Sequence, residues 1–341
     1  MSGTTTAGAA PLAAQSVKPF PLSVTAIQDL GPRRRRISFG GTSLLGFATD
    51  SGATWDLRIK MVIPQPGRSL PRVTAFECHD SEDPGRSWRR AWLRLPEAER
   101  GELRSYTVRE ARLEEAYPEI DVDFILRPHG PQGPAARWAR TIRLGDPALV
   151  IGPSTSAGHC AGIEFAPGRA RHVLLAGDET ALPAITGILR DLPAGFRTDA
   201  VIEVPDAAMI QDLPTRAEAT VTWLERRGHA HGVQLADAVR RAVPAPLCAP
   251  GPDVVHRVTA AAAPLDVGPE RDLVWDTPQY RRLFTEPATG TPQWNGAPFY
   301  AWIAGESTMV TSLRRYLIRE CGIHREQVAF MGYWKKDTPQ R

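Results

Sequence analysis

The sequence lacks any long apolar run, and no hydrophobic stretch approaches the roughly 20 residues that a membrane-spanning helix needs. Its first 17 residues are mostly Gly, Ala, Ser and Thr, without the basic and apolar regions of a signal peptide, so we interpret them as a flexible tail. We therefore expect no membrane span and a cytoplasmic location.

Cysteine is also scarce, and its four positions lie far apart: Cys78, Cys160, Cys248 and Cys321. They form neither a C-x-x-C pair nor an iron–sulfur spacing, which argues against structural disulfides and a protein-borne metal cluster. The closest histidine pair, His229 and His231, has no carboxylate or cysteine partner nearby in the sequence. We predict no protein metal site.

Two common catalytic motifs are missing. There is no G-x-S-x-G elbow, and neither Ser156 nor Ser307 has an evident base, which argues against a Ser-His-Asp hydrolase. There is also no G-x-G-x-x-G fingerprint, which weakens an ordinary dinucleotide-binding assignment.

The chain has 341 residues, 42% of them hydrophobic and 23% charged, which is typical of a globular protein with two domains. The formal charge of +3 suits an anionic ligand. The run Arg33 to Arg36 leads directly into a strand-like segment and has no aromatic stacking platform beside it, so we predict no nucleic-acid partner.

Short strand-like segments separated by Gly, Pro and Asp fill residues 18–152, a spacing typical of an all-β barrel. They include Arg36 to Phe39, Asp56 to Ile63, Arg72 to Cys78, Tyr106 to Glu110 and Val122 to Leu126.

From His172 onward, strand and helix patterns alternate, which predicts a parallel sheet with helices on its faces in residues 153–341. Strands are expected at His172 to Ala176, Thr198 to Val204, Thr220 to Leu224, Phe299 to Ile303 and Gln327 to Met331. Helices are expected at Ala181 to Leu192, Gln234 to Val243 and Thr308 to Glu320. Residues 244–298 are rich in Pro, Gly and Ala and give no assignable pattern.

The strand Arg104-Ser105-Tyr106-Thr107-Val108-Arg109 carries the residue types that a flavin needs: an aromatic ring, a small donor and cations. Alternation places Arg104, Tyr106 and Val108 on one face and Thr107 and Arg109 on the other, so these side chains cannot all meet one ring. Thr107 would then use its backbone amide, or its hydroxyl if the strand ends or twists there. An ordinary half-exposed strand has the same composition.

A second candidate lies in the segment 129–139, where Gly133 and Pro134 open a predicted helix. A helix N-terminus of this kind binds anions. Proline is tolerated at an early position because the N–H that it lacks would have no partner within the helix. A plain loop before a short helix would look similar.

Two turns follow strands in the second half. In Gly177-Asp178-Glu179-Thr180-Ala181 a tight turn precedes a helix, and Asp178 and Thr180 are equally good helix-capping residues. Gly305 and Glu306 precede the last helix and are placed to approach a nicotinamide ribose or phosphate.

The order of these motifs resembles the siderophore-interacting proteins, a branch of the ferredoxin-reductase-like flavoenzymes. The likeness runs from about Ser23 to Trp334. It rests on four groups of residues: Arg104-x-Tyr106-Thr107-x-Arg109, Asp123-Phe124 through Gly133-Pro134-Ala135 to Trp138-Ala139, Gly177 through Ile185, and Trp302 through Ala304-Gly305-Glu306 to Gly332-Tyr333-Trp334. Arg127 and Pro128 lengthen the family spacing before His129 and leave the role of that histidine open.

The resemblance implies a Greek-key barrel that binds FAD, followed by a Rossmann-like domain for NADH or NADPH. Tyr106 would stack on the flavin, Thr107 would sit at its N5, Arg104 would hold the pyrophosphate, and Gly133 to Ala135 would cradle its oxygens. Val108, Arg109, Asp123, Phe124, His129 and Trp138 complete the flavin set, and Gly177 to Ala181 with Gly305 and Glu306 form the nicotinamide set.

The implied reaction passes a hydride from the nicotinamide to the flavin and then single electrons to Fe(III) in a siderophore, releasing Fe(II). A monomer is expected. A ferredoxin donor, a quinone acceptor and siderophore binding without turnover remain alternatives. The siderophore and the preferred nicotinamide are not specified by the sequence.

Only four of the 41 basic residues are lysines, so each lysine is informative. Lys60 lies on a predicted barrel strand, at a position similar to a lysine that the family presents to substrate, and Lys335 follows the terminal aromatic pair. We predict that both contact an anionic ferric siderophore. An exposed strand residue without a function is the alternative for Lys60.

Overall fold

The computed structural model describes residues 17–76, 87–126, 132–157, 160–243, 274–279 and 299–336. The predictions about the N-terminal tail, Cys78, Cys248, His129 and most of residues 244–298 lie outside these ranges.

Six antiparallel strands form a closed barrel in the first half of the chain, in the spatial order β1-β2-β5-β4-β3-β6. Their bounds are β1 Val17–Asp29, β2 Arg34–Gly40, β3 Arg58–Ile63, β4 Glu102–Arg112, β5 Glu119–Ile125 and β6 Pro147–Pro153. The barrel predicted from the sequence is confirmed.

The barrel closes around alternate apolar side chains because successive residues of a strand point to opposite faces. Phe39, Met61 and Phe124 are fully buried in this core. Three helices accompany the barrel: α1 Ser87–Arg94, α2 Glu97–Arg100 and α3 Pro134–Thr141. On α3, Trp138 stacks on Phe39 with ring centroids 6.2 Å apart, so this helix covers part of the core.

The second half forms a six-stranded sheet in the order β10-β12-β11-β7-β8-β9, parallel except at β10. Its strands are β7 His172–Asp178, β8 Arg197–Val204, β9 Glu218–Glu225, β10 Trp275–Asp276, β11 Phe299–Glu306 and β12 Val328–Trp334.

Helices cover both faces of this sheet, as the alternating pattern predicts. Their bounds are α4 Leu182–Asp191, α5 Val233–Ala242 and α6 Ser307–Arg315, the last continuing as a π-helical turn over Tyr316–Glu320. The face formed by Val173, Leu175 and Ile202 packs with α4, whereas α5 and α6 pack on the opposite face. Short 3₁₀ turns lie at Thr42–Gly46, Val73–Phe76, Thr155–Ala157, Ala207–Met209 and Arg325–Gln327.

The strand predicted over Arg72 to Cys78 is wrong over its described part, where Val73–Phe76 is a 3₁₀ turn. The Ala75 amide donates to the Arg72 carbonyl and closes the turn. Phe76 is then buried against Trp88 and Trp92 in a small cluster outside the barrel. Its burial needs no strand pairing, and tertiary packing overrides the local β-propensity.

The arginine run at the start of β2 is engaged by the protein itself. Arg33 pairs with Asp206 at 2.6 Å, and Arg36 contacts Asp123 through two nitrogens at 2.6 and 3.0 Å. Because Asp206 follows β8, the first of these pairs joins the barrel to the second domain.

The two domains also meet where α4 lies against β4. A Cβ atom on Gly187, in the middle of α4, would lie 2.1 Å from the carbonyl oxygen of Trp55. Only glycine allows the helix to approach the barrel this closely. Within the described ranges, no helix combines the length and the apolar character needed to cross a bilayer.

Candidate functional site

The predicted flavin strand is β4, and its side chains alternate as expected up to Val108. Tyr106 lies opposite Ile59 of β3, and its ring packs on Phe124 with centroids 4.4 Å apart. Thr107 lies opposite Arg58 and is 9% exposed. Tyr106 and Thr107 are therefore neighbours on β4, and their side chains point to opposite faces of the strand.

A β-bulge interrupts the pairing of β4 with β5 between Val108 and Glu110. Bulges re-aim the side chains of the strand that contains them. The residue inside the irregularity is Arg109, whose direction therefore does not follow from simple alternation. Tyr106 and Thr107 precede the bulge, so their side chains still point in opposite directions.

Arg109 is a partly buried cation with one unpartnered donor. Its Nη1 has no hydrogen-bond partner among the described residues. Burial and the nearby guanidinium groups of Arg190 and Arg36 lower the pKa of Arg109. Arg36 is engaged with Asp123, and Arg190 with Asp191 at 2.7 Å. Asp123 and Glu110 act on Arg109 in the opposite sense, and its buried Nη1 remains available to an anionic acceptor.

Arg104, expected to hold a pyrophosphate, forms an ion pair with Glu102 in this structure and donates to the Leu103 carbonyl at 2.9 Å. Its role toward a ligand stays a prediction. Arg109, Arg36 and Arg190 form the more concentrated group of cations. Of these, the sequence indicated Arg109 alone, because Arg190 comes from a helix of the other domain.

The helix start predicted at Gly133 is present as the N-terminus of α3. Pro134 is the first helical residue, and no side chain from the part of the chain that the structure describes caps the N-terminus. Ala135 is 8% exposed and packs on the barrel core. The first backbone amides of α3 are therefore not used by a capping side chain of the described residues, which is compatible with the anion-binding interpretation.

The donor set of the first domain fits a flavin nucleotide. The buried nitrogen of Arg109 offers a counter-charge for a phosphate, the start of α3 offers amides, and the partly exposed ring of Tyr106 offers a stacking face. These are the three kinds of group that a flavin diphosphate needs.

At the second domain, Gly177 is the penultimate residue of β7 and lies beside β11. A Cβ atom at this position would lie 2.5 Å from the Ala181 Cβ and 2.7 Å from the Ala304 carbonyl oxygen. Gly305, on β11, has a φ of +139°, which favours glycine. Both glycines thus permit a close approach of backbone segments at the carboxyl edge of the sheet.

Asp178 lies at the centre of this edge and is fully buried. Its Oδ2 accepts hydrogen bonds of 2.9 Å from both the Glu306 amide and the Trp334 indole, and its Oδ1 accepts one of 2.8 Å from the Thr180 amide. Burial alone would raise the pKa of Asp178, but His231, Thr180 and Trp334 hold it below its ordinary value.

In the folded protein His231 has a carboxylate partner that its sequence neighbours did not indicate. Its Nε2 lies 3.2 Å from Asp178 Oδ2, and its ring meets Trp334 edge to face. Burial lowers the pKa of His231, yet the Asp178 and Glu179 carboxylates raise it above its ordinary value overall. The partner was missed because Asp178 lies far away in the sequence.

Asp178, Glu179 and His231 bring three potential ligand atoms within 4.8 Å of one another. Their chemistry does not favour a metal. Arg226 contacts Glu179 through two nitrogens at 2.7 and 2.9 Å, and the oxygens of Asp178 already accept several hydrogen bonds. The donor set is that of an ion-pair network.

An aromatic stack connects the domains next to β4. Trp275, from the segment that gave no sequence pattern, stacks on Tyr333 with centroids 6.2 Å apart. The Arg58 guanidinium lies 4.2 Å from the Trp275 ring centroid. Since Arg58 is the cross-strand neighbour of Thr107, this stack borders the predicted position of the flavin ring.

The predicted substrate lysines lie at different edges of this region. Lys60 is two residues from Arg58 on the same face of β3, and its Nζ lies 2.6 Å from Ser105 Oγ. Lys335 directly follows β12 and is exposed. Lys60 is therefore adjacent to the Thr107 position, whereas Lys335 follows the strand end near Asp178.

Two family models cover the chain. Residues 23–157 match the siderophore-interacting FAD-binding domain, and residues 170–337 match the siderophore-interacting protein model. An uncharacterized protein of Mycobacterium tuberculosis is 33% identical over 210 residues, which span 61% of this chain and 65% of that protein. The ferric vibriobactin reductase ViuB of Vibrio cholerae is 25% identical over 68% of this chain and 64% of that protein. The aligned regions thus cover slightly less than two thirds of both relatives.

A siderophore utilization protein from T. fusca has the same fold, with a TM-score of 0.62, 24% identity, and coverage of 96% of this chain and 97% of that one. The similarity extends over both the barrel and the parallel sheet.

Proposed function

Because the chain belongs to the siderophore-interacting protein family and carries that family's FAD-binding domain, we propose that it is an FAD-dependent reductase that transfers electrons from NADH or NADPH to a ferric siderophore. The ferric vibriobactin reductase among its relatives supports the choice of reaction, and the ferredoxin-reductase-like fold supports an oxidoreductase.

The observation that carries the proposal is the buried Nη1 of Arg109, which has no hydrogen-bond partner among the described residues and lies near Arg36 and Arg190. A buried donor without a partner is costly unless an acceptor joins it. The flavin diphosphate offers such acceptors, and Tyr106 and Thr107, which we assign to the flavin ring, precede Arg109 by a few residues on β4. We assign Arg109 the diphosphate together with the amides at the start of α3.

FAD, when bound, supplies the conversion between a two-electron hydride donor and a one-electron acceptor such as ferric iron. The protein has to hold the ring, orient it and limit water around it. Tyr106 provides the stacking face, and the buried Thr107 provides a donor on the other side of the strand. The stack of Arg58, Trp275 and Tyr333 excludes water at the domain junction.

The nicotinamide donor is assigned to the carboxyl edge of the second sheet, where β7 and β11 are neighbours. Strand order reverses between these two strands, and ligands of open α/β sheets bind at such a switch point. Gly177 and Gly305 allow neighbouring segments to lie close to the backbone at this point. The ring would then approach the flavin from the second domain.

Ferric siderophores are bulky and often anionic, so the acceptor requires an open basic rim. Lys60 meets this requirement from the barrel, and Lys335 does so from the end of β12. Fe(III) is a better match than Fe(II) for hard anionic oxygen ligands, so reduction loosens the iron. The proposed outcome is the release of Fe(II) from the chelator.

The test combines a spectrum with a trap for Fe(II). Protein reconstituted with FAD is mixed without oxygen with NADH or NADPH and a ferric catecholate or ferric hydroxamate, and a colour-forming Fe(II) chelator records the product. We expect bleaching of the flavin band by the nicotinamide and Fe(II) formation that depends on protein. If neither NADH nor NADPH reduces the flavin but reduced ferredoxin does, ferredoxin would replace the nicotinamide as the proposed electron donor. Siderophore binding without Fe(II) formation would indicate a siderophore-binding protein instead of a reductase.

A further inference from the structure

Three neighbouring strands of the second sheet end in buried acidic residues. Asp178 ends β7, Glu203 is the penultimate residue of β8, and Glu306 ends β11. The exposures of these side chains are at most 5%. A helix begins close to each of these residues: α4 near Asp178, α5 near Glu203 and α6 near Glu306.

Glu203 occupies the N-terminus of α5. Its carboxylate accepts hydrogen bonds from the Gly232 amide at 2.9 and 3.1 Å and from the Leu235 amide at 3.3 Å. Arg226 Nη1 lies 3.3 Å from the same carboxylate. The N-terminus of α5 is therefore already bound to an anionic side chain of the protein itself.

Glu306 does the same for α6. Its Oε2 accepts from the Thr308 amide at 2.7 Å and from the Met309 amide at 3.0 Å, and its Oε1 accepts from the Lys336 amide at 3.2 Å. These are the amides that would otherwise bind an external anion.

Asp178 fills the turn that leads into α4. It accepts from the Thr180 amide, and Pro183, in the first turn of α4, has no N–H to offer. A Cβ atom on Gly305 would lie 2.6 Å from Asp178 Oδ2, so the carboxylate takes up the space between the ends of β7 and β11. The switch point is occupied by this carboxylate.

The negative charge of this edge also disfavours the binding of a phosphate group. Asp178, Glu179, Glu203 and Glu306 bring four carboxylates to this edge, and among the described residues Arg226 and, when protonated, His231 are cations that contact them. A nicotinamide coenzyme bound in the usual way would place its diphosphate, with two further negative charges, at one of these helix ends.

We propose that Asp178, Glu203 and Glu306 close the phosphate positions of this edge, so that the second domain recognises its donor through the nicotinamide riboside end while the ADP half contributes little to binding. The inference rests on the proposed use of NADH or NADPH. It makes these carboxylates determinants of donor specificity, because a carboxylate disfavours a nearby phosphate while leaving the uncharged reduced nicotinamide ring unaffected.

The binding test uses ADP-ribose, which contains the diphosphate but no nicotinamide. Glu306→Gln keeps an oxygen for the Thr308 and Met309 amides and removes the charge. We expect calorimetry to show weak binding to the wild type and about fivefold tighter binding to the variant, a gain that shrinks at high salt. Glu218→Gln is the control, because it removes one exposed acidic charge at the opposite edge of the same sheet.

Unchanged ADP-ribose affinity in Glu306→Gln, or tight binding by the wild type, would overturn the inference. An independent measurement compares NADH with reduced nicotinamide mononucleotide, which lacks the adenylate. The two second-order rate constants for flavin reduction should agree within about tenfold, since little binding energy is expected from the ADP half. A far slower reaction of the mononucleotide contradicts the inference and leaves the proposed reductase intact, whereas no reaction with NADH or NADPH contradicts the proposed donor. The ADP-ribose result stands in either case.

Discussion

Asp56 Oδ2 accepts a 2.8 Å hydrogen bond from the indole nitrogen of Trp302, and both side chains are buried. Asp56 belongs to the barrel domain, and Trp302 lies on β11 in the second sheet. Asp56 Oδ1 also accepts from the amides of Glu164 and Phe165 at 3.1 Å, in the connection between the domains. One carboxylate therefore joins the barrel, the connection and the second sheet.

This carboxylate should give the protein a specific pH dependence. Burial raises the pKa of Asp56 to about 6 from an ordinary 3.8. The folded state thus binds a proton more tightly than the unfolded state, so the Asp56 contribution to the free energy of unfolding is greatest below about pH 4 and is lost as pH rises through 6. The difference between the two pKa values corresponds to roughly 3 kcal/mol.

Urea unfolding of wild type and Asp56→Asn between pH 4 and 7 measures this contribution. The variant keeps one of the two acceptor oxygens and so loses hydrogen bonding at every pH, but its stability relative to the wild type should improve as pH rises. Asp237→Asn, at an exposed position, is the control. A stability difference between wild type and Asp56→Asn that is independent of pH contradicts the prediction.

Replacing Arg109 should separate stability from cofactor binding. Arg109→Gln removes a partly buried cation that lies near Arg36 and Arg190, so the FAD-free protein should be at least as stable as the wild type. FAD affinity should fall by about 1.5–3 kcal/mol, the range for hydrogen bonds to charged groups. Thermal unfolding without and with FAD gives both values. The exposed Arg143→Gln is the control, and equal FAD affinity in both variants would place the diphosphate elsewhere.

Tyr106→Ala should weaken FAD binding by about 0.5–1.5 kcal/mol, the additional contribution of an aromatic pair beyond the area that it buries. The substitution also removes the contact with Phe124. Tyr106→Phe retains the ring and serves as the control. Fluorescence titration of the FAD-free protein measures the affinities, and an unchanged value in Tyr106→Ala shows that the flavin stacks on another residue.

Lys60→Ala should raise the half-saturating concentration of an anionic ferric siderophore by about threefold at low salt and leave FAD binding unchanged. The effect should disappear at high salt, because screening shortens the reach of an accessible charge. Lys18→Ala removes a lysine that lies over Phe20 on β1 and is the matched control. Steady-state Fe(II) formation at two ionic strengths decides the matter; equal kinetics for wild type and Lys60→Ala at low salt would exclude Lys60 from the substrate rim.

The sequence by itself determined the architecture and the strand that carries the candidate flavin residues. The change from short β segments to alternating strands and helices predicts the barrel and the parallel sheet, because side-chain periodicity reflects which face of each element is buried. The succession of Arg104, Tyr106, Thr107 and Arg109 indicates β4, since these residues are local to one strand.

Only the tertiary structure decided which residues meet across the chain. Asp56 and Trp302 are 246 positions apart, His231 finds Asp178, and Trp275 enters the stack with Arg58 and Tyr333 from a segment without a recognisable pattern. The carboxylates that cap α5 and α6 were likewise ordinary strand-end residues in the sequence. Local propensity records how a residue suits its own helix or strand, whereas these contacts depend on how strand ends and loops from distant parts of the chain come together once both domains have packed.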